Sequence, residues 1–283
     1  MRQMLSTFSR LVSCYLTHKL SKFINNRRSS QSGLRVIPAN DFISNEITLS
    51  GWYERDLLED VTRLLSSNNL LGGTLIDVGA NIGNHSAWFS QFFDKIEAFE
   101  PSPLTFPILD FNAKHMPGTV CVHNYGLSNS NKASKLYTCK SNLGKAGQSP
   151  TKGDSLETSI ELRKADDLPI RNDPTIRVIK IDVEGHELSV IQGMQKLIAT
   201  WKPILVLETS FDSDLLKLLS SSGYTHFYHP NSPFRRERGV IKKILGSLNN
   251  CRPMWLEFDP YQPDSFEEMA VVSMYKLDIE KSA

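Results

Sequence analysis

The chain is predicted to adopt a doubly wound α/β fold built on a parallel sheet, and three observations carry this. Short strand candidates, Leu75–Val78, Ile96–Phe99, Val120–Asn124, Val178–Ile181 and Ile204–Leu207, lack the alternation of a half-exposed sheet, as expected where both faces are covered. Helical stretches lie between most of them: His85–Phe93, Leu104–His115 and Glu187–Thr200. The first strand runs through the glycine loop of "TLIDVGANIGNH" straight into a helix, so backbone N–H groups and a positive helix end meet at the strand's carboxyl end.

Length and composition agree with one catalytic domain plus a short extension. The 283 residues are 40% apolar and 22% charged with a net charge of +1, ordinary globular values that speak against a dedicated nucleic-acid binder. The charge is uneven, because Arg2, Arg10, Lys19, Lys22, Arg27, Arg28 and Arg35 all precede the first acidic residue, Asp41. The widely spaced Cys14, Cys121, Cys139 and Cys251 form no CxxC pair, which suggests neither a zinc site nor a redox dithiol. No run reaches about 18 apolar residues, and "MRQMLSTFSR" lacks the apolar core of a secretory signal. A cytoplasmic location follows as the expectation.

From Met4 to Ile24 apolar residues recur at three- and four-residue steps, an amphipathic helix flanked by Arg and Lys. It reads as a helix packed on its own domain, as a membrane or partner contact through residues 1–28, or as a transit peptide. "NNRRSSQSG" then forms a linker, so residues 1–35 are helix and linker and 36–283 the catalytic domain. A helix follows over Glu54–Asn68. Between Leu136 and Ala165 the Gly/Ser/Lys-rich "NLGKAGQSPTKGDS", flanked by "KLYTC" and "SIELRKA", predicts an antiparallel excursion with a lid-like loop. Beyond Ser210 come a helix (Asp214–Ser222), "YTHFYHP", the basic "FRRERGVIKKILG" and a terminal strand in "MAVVSMYKL". The basic segment can meet a phosphate or be a solvated helix face.

The loop itself excludes two nucleotide classes. A dinucleotide fingerprint from Gly79 would need glycines where Asn81 and Asn84 stand, and no GK[ST] follows for a Walker A loop. Asp77, Gly79 and Gly83 remain, suited to a smaller group such as an amino-acid moiety. About twenty residues on, Glu100 ends the second strand, where an acid can accept both hydroxyls of a ribose. A ribose with a small polar head and no pyrophosphate points to S-adenosyl-L-methionine (SAM). A nicotinamide-dependent oxidoreductase and a non-catalytic scaffold of the same fold, docking at a membrane or partner, are the alternatives.

"IDVGANIGNHS", "EAFEPSP", "HNYGLSN", "ADDL" and "VIKIDVEGHELSVIQGM", in this order and followed by "PILVLETS", resemble the FkbM-type family of SAM-dependent methyltransferases over about Leu75 to Ser210. The resemblance implies the Rossmann-like class I methyltransferase fold, seven strands with the last one antiparallel, and methyl transfer usually to a hydroxyl of a sugar or polyketide-like product. It implies that Asp77, Gly79, Asn81 and Gly83 take the methionine half of SAM and Glu100 the ribose, with Asn124 and Leu127 near the adenine. A small-molecule or glycan acceptor is expected as the partner.

The fourth strand ends in "IDVEGHE" at the edge that faces the ligand crevice in open α/β sheets. Transfer to an alcohol needs positioning and a base. His186 is read as that base and Asp182 as orienting the acceptor or contacting the methionine amine, with Glu184 and Glu208 as acceptor-side contacts. Plainer readings stand beside these: a Lys180–Asp182 edge ion pair, Glu184 capping the next helix, and His186 as a helix-start residue. A divalent ion shared by Asp182, Glu184 and His186 is the competing chemistry, and the reading adopted is metal-free.

Overall fold

The computed structural model describes residues 34–38, 42–139, 142–147, 155–209, 213–231, 254–257, 268–273, 276–277 and 279. The amphipathic helix read at 4–24, its linker and the basic segment after Asn231 lie outside the described residues. Helices α1 (Phe42–Ser50) and α2 (Arg55–Ser67) precede the sheet. The alternating part then runs β1 (Thr74–Val78), α3 (Asn84–Phe89), β2 (Lys95–Phe99), α4 (Phe106–Ala113) and β3 (Thr119–His123).

Where the next βαβ unit would cross by a helix, the chain instead builds a small second sheet. It comprises β4 (Gly126–Leu127), β5 (Lys132–Cys139), β6 (Asn142–Gly147) and β7 (Ser155–Arg163), ordered β4-β7-β5-β6. β5 pairs antiparallel with β6 and β7, so the antiparallel excursion is present. The first six residues of the stretch read as a lid loop are strand β6, and residues 148–154 lie outside the described ones. Two 3₁₀ turns, Ala165–Asp167 and Pro169–Asn172, lead back to β8 (Ile176–Ile181).

The helix expected over Glu187–Thr200 is two: α5 (Glu187–Gln192) and α6 (Gln195–Trp201). The break has a physical cause. A Cβ on Gly193 would collide with the Ser128 carbonyl, and the Asp166 carboxylate accepts the Lys196 and Leu197 N–H groups at 2.9 Å each, capping α6 from a distant turn. After β9 (Ile204–Thr209) come α7 (Ser213–Ser221), β10 (His226–Asn231), β11 (Met254–Glu257) and β12 (Glu268–Ser273).

The main sheet has the order β11-β10-β12-β9-β8-β1-β2-β3. β3, β2, β1, β8 and β9 are parallel, and β12 inserts antiparallel between β9 and β10. The expectation of seven strands falls one short, because β11 adds antiparallel to the β10 edge. Two apolar layers cover the faces. One gathers Val61, Leu64, Leu65, Trp88 and Leu109 beneath Leu75 and Ile96, and the other Ile76, Phe99, Ile179, Ile191 and Leu197. None of the described helices is long and apolar enough to cross a membrane.

Candidate active site

Asp77 is the penultimate residue of β1, and its side chain is 0% exposed. Its Oδ2 accepts the Ser86 hydroxyl of α3 at 2.6 Å, and its Oδ1 lies 3.2 Å from Lys180 Nζ. Register makes the pair, since Asp77 stands opposite Lys180 between β1 and β8. Lys180 Nζ also donates to the Gly79 carbonyl at 3.2 Å and to Asp182 Oδ2 at 3.4 Å. Burial by itself lowers the Lys180 pKa, yet Asp77, Asp182 and Glu208 outweigh it and hold the ammonium charged well above its ordinary range. Asp77 therefore lies beneath the crevice, fixing the loop from below, rather than on its surface.

The loop glycines answer to the protein's own close approaches. Gly79 has φ +78°, and a Cβ there would collide with the Asp182 carbonyl. Gly83 has φ +92°, and a Cβ would come within 2.8 Å of Met116 Cε and 2.9 Å of Leu109 Cδ1. Asn81 takes the left-handed conformation at φ +52°, which asparagine tolerates, and this turns its N–H toward Glu100.

Glu100 is 7% exposed at the end of β2. Its Oε2 accepts the Asn81 N–H and its Oε1 the Ser102 N–H, both at 2.8 Å. Burial pushes its pKa up, against the hydrogen bonds from Ser102, Thr105 and Asn81. The two backbone N–H groups take one lone pair on each oxygen, which leaves the carboxylate acceptor capacity for a ribose hydroxyl. The residues present thus fit a ribose at Glu100 and a small polar head along the Gly79–Gly83 backbone.

Because β2, β1, β8 and β9 are consecutive neighbours, Glu100, the glycine loop, Asp182 and Glu208 follow one another along the carboxyl edge. Glu208 stands three strand spacings, on the order of 14 Å, from the Glu100 strand. Its carboxyl is pushed up to about 8 by burial first, then by Asp182, Glu54 and Glu184, with Lys180 opposing. Tyr53 is raised by burial and then by the charges of Glu54, Glu208, Glu46 and Asp182. Asn84 fixes Tyr53 from both sides, accepting its N–H at 3.1 Å and donating to its carbonyl at 3.0 Å. The His85 ring stacks on Tyr53 at 6.5 Å, with Nε2 3.6 Å from Glu54 Oε2.

The other expected site residues fall elsewhere. His186 Nε2 lies 3.0 Å from Ser128 Oγ, just past β4, and burial first, then Lys132, lower its pKa. The structure does not bring it together with the carboxylates around Glu208. Asn124 Nδ2 donates to the Glu100 carbonyl at 3.1 Å and so clamps the turn after β2. Leu127, expected near the adenine, is 2% exposed within the apolar layer. Glu184 is exposed with φ +50°, beside Gly147 of β6. Among the described residues no group of three or more His, Cys, Asp or Glu is arranged to hold a metal ion. Sequence reasoning missed Tyr53 and Glu54 altogether, and their only signal was the pair of aromatic residues in "GWYERD" before a helix start.

A parallel sheet with one reversed inserted strand, a glycine loop after β1 and a buried acid after β2 define a SAM-dependent methyltransferase of the class I type. The Methyltransferase FkbM domain model matches residues 77–225, and the chain belongs to that family. It is 35% identical over 178 residues to the Hexuronic acid methyltransferase AglP of Haloferax volcanii, covering 60% of this chain and 72% of that one. It is 26% identical over 172 residues to the Methyltransferase sdnD of Sordaria araneosa, covering 46% of this chain and 66% of that one. A crystal structure of Methyltransferase FkbM from Methylobacillus flagellatus superposes with a TM-score of 0.43 at 18% identity, covering 71% of this chain and 43% of that one.

Proposed function

We propose that the chain methylates a hydroxyl oxygen of a sugar unit in a glycan, a glycolipid or a glycan precursor. One observation carries this reading: Asp182 and Glu208 end neighbouring strands on the side of the glycine loop away from Glu100. Carboxylates there sit beside the place where an acceptor must approach. That a relative is a hexuronic acid methyltransferase supports a sugar as acceptor.

In this reading Glu100 holds the ribose, the Gly79–Gly83 backbone holds the methionine half, and Asp77 with Lys180 keeps that loop in register with β8. SAM, when bound, supplies an electrophilic methyl group on a sulfonium, open to in-line attack. Glu208 takes the proton of the attacking hydroxyl, for which a carboxyl near pH 8 is matched to neutral solution. Asp182, 30% exposed, orients the hydroxyl. His186 acts at a distance, holding the loop after β4 through Ser128.

The test is mass spectrometry of glycans and glycolipids from cells with and without the gene. One saccharide lighter by a CH2 in the deletion identifies the acceptor, and restoration by the wild-type gene but not by Glu208→Gln assigns the base. Identical glycan profiles in both strains defeat the reading.

A further inference from the structure

The acceptor end of the crevice carries a charge pattern that narrows the sugar. Resting on the reading that the acceptor is a sugar, we infer that Tyr53, Glu54 and Glu208 wall a subsite for a sugar unit with no acidic group near the methylated position. Such a unit is neutral or carries an amine; a uronic acid is refused.

Position is the first ground. Glu208 lies beyond Asp182 from the ribose acid, so the wall is on the acceptor side of the glycine loop. Tyr53 and Glu54 precede residue 77, where the family match begins. Asn84, at the start of α3, pins it there by two hydrogen bonds to the Tyr53 backbone.

Charge is the second. Glu54, Asp182 and Glu184 all act on Glu208 in the same sense. The opposing cation, Lys180, is 2% exposed beneath the strand ends and already serves Asp77, Gly79 and Asp182. A carboxylate on the acceptor would enter a place already crowded with negative charge, whereas a hydroxyl or an ammonium would be received. His85 ties the wall to α3 as well: it is 6% exposed, its ring stacks on Tyr53, and its Nε2 lies 3.6 Å from Glu54 Oε2.

The test uses the full-length protein, SAM labelled in its methyl group and extracts of gene-deleted cells as the acceptor source. Labelled material is first treated with mild alkali, which frees a methyl ester on a carboxyl group as methanol but leaves ethers and N-methyl groups intact. The remainder is hydrolysed, and the labelled sugar is separated by charge. Alkali-stable label in a neutral or amino sugar supports the inference. Label lost as methanol, or recovered in a uronic acid, overturns it while leaving sugar methylation standing. Absence of label from every saccharide sinks the underlying reading and this inference with it. Glu54→Gln and Glu208→Gln are measured alongside: transfer should fall about tenfold or more, while S-adenosylhomocysteine affinity stays within about twofold. An equal loss of cofactor affinity would assign the wall to the cofactor instead.

Discussion

Lys180 Nζ stands 3.2 Å from Asp77 Oδ1 with both side chains out of solvent, and the same ammonium reaches the Gly79 carbonyl and the Asp182 carboxylate. One buried cation thereby ties the glycine loop of β1 to the acceptor edge of β8. Lys180→Met would leave Asp77 charged and uncompensated, a loss of about 3–5 kcal/mol by comparison with other broken buried pairs. Adding Asp77→Asn should return part of that loss, since the two residues are coupled. Denaturant unfolding of the wild type, both single variants and the double variant measures it. Simple additivity would show that the two residues do not act as a unit.

Glu208, with its carboxyl pushed up to about 8, makes stability and activity run in opposite directions with pH. The folded protein keeps a proton that the unfolded chain releases near its ordinary 4.5. Its contribution is therefore complete below about pH 4.5 and is lost as pH rises through about 8. Melting temperature should fall between about pH 6 and 9, and Glu208→Gln should flatten that slope. As the proton acceptor it works when ionised, so kcat should rise over the same interval.

Glu100→Gln tests the ribose assignment. Both carboxylate oxygens accept a backbone N–H, so an amide must turn its NH2 toward Asn81 or Ser102 and set two donors against each other. S-adenosylhomocysteine affinity should fall by about tenfold to a hundredfold, read by calorimetry. Unchanged affinity would remove Glu100 from the cofactor site.

The parallel strands and the acid at Glu100 were legible because each rests on local information: an apolar run, a turn and a fixed interval. The meaning of Gly79 and Asp77 was not, since it depends on which strand lies beside β1. That neighbour, β8, is about a hundred residues away in sequence, and its Asp182 carbonyl and Lys180 ammonium set both roles. The break between α5 and α6 was hidden for the same reason, since its cap, Asp166, comes from another turn. Tyr53 and Glu54 carry no motif, and the contacts that hold them, the Asn84 hydrogen bonds and the His85 ring, come from about thirty residues further along the chain.

That last dependence can be measured. Asn84 first reads as a missing glycine of a dinucleotide loop, but its side chain makes two hydrogen bonds to Tyr53 and is 5% exposed. Asn84→Ala deletes both and leaves two backbone groups to find other partners, a loss of about 1–3 kcal/mol. The glycine loop and Glu100 do not use this side chain, so S-adenosylhomocysteine affinity should hold while the acceptor KM rises. A fall in cofactor affinity with an unchanged acceptor KM would place Asn84 in the cofactor loop after all, and Tyr53 away from the acceptor.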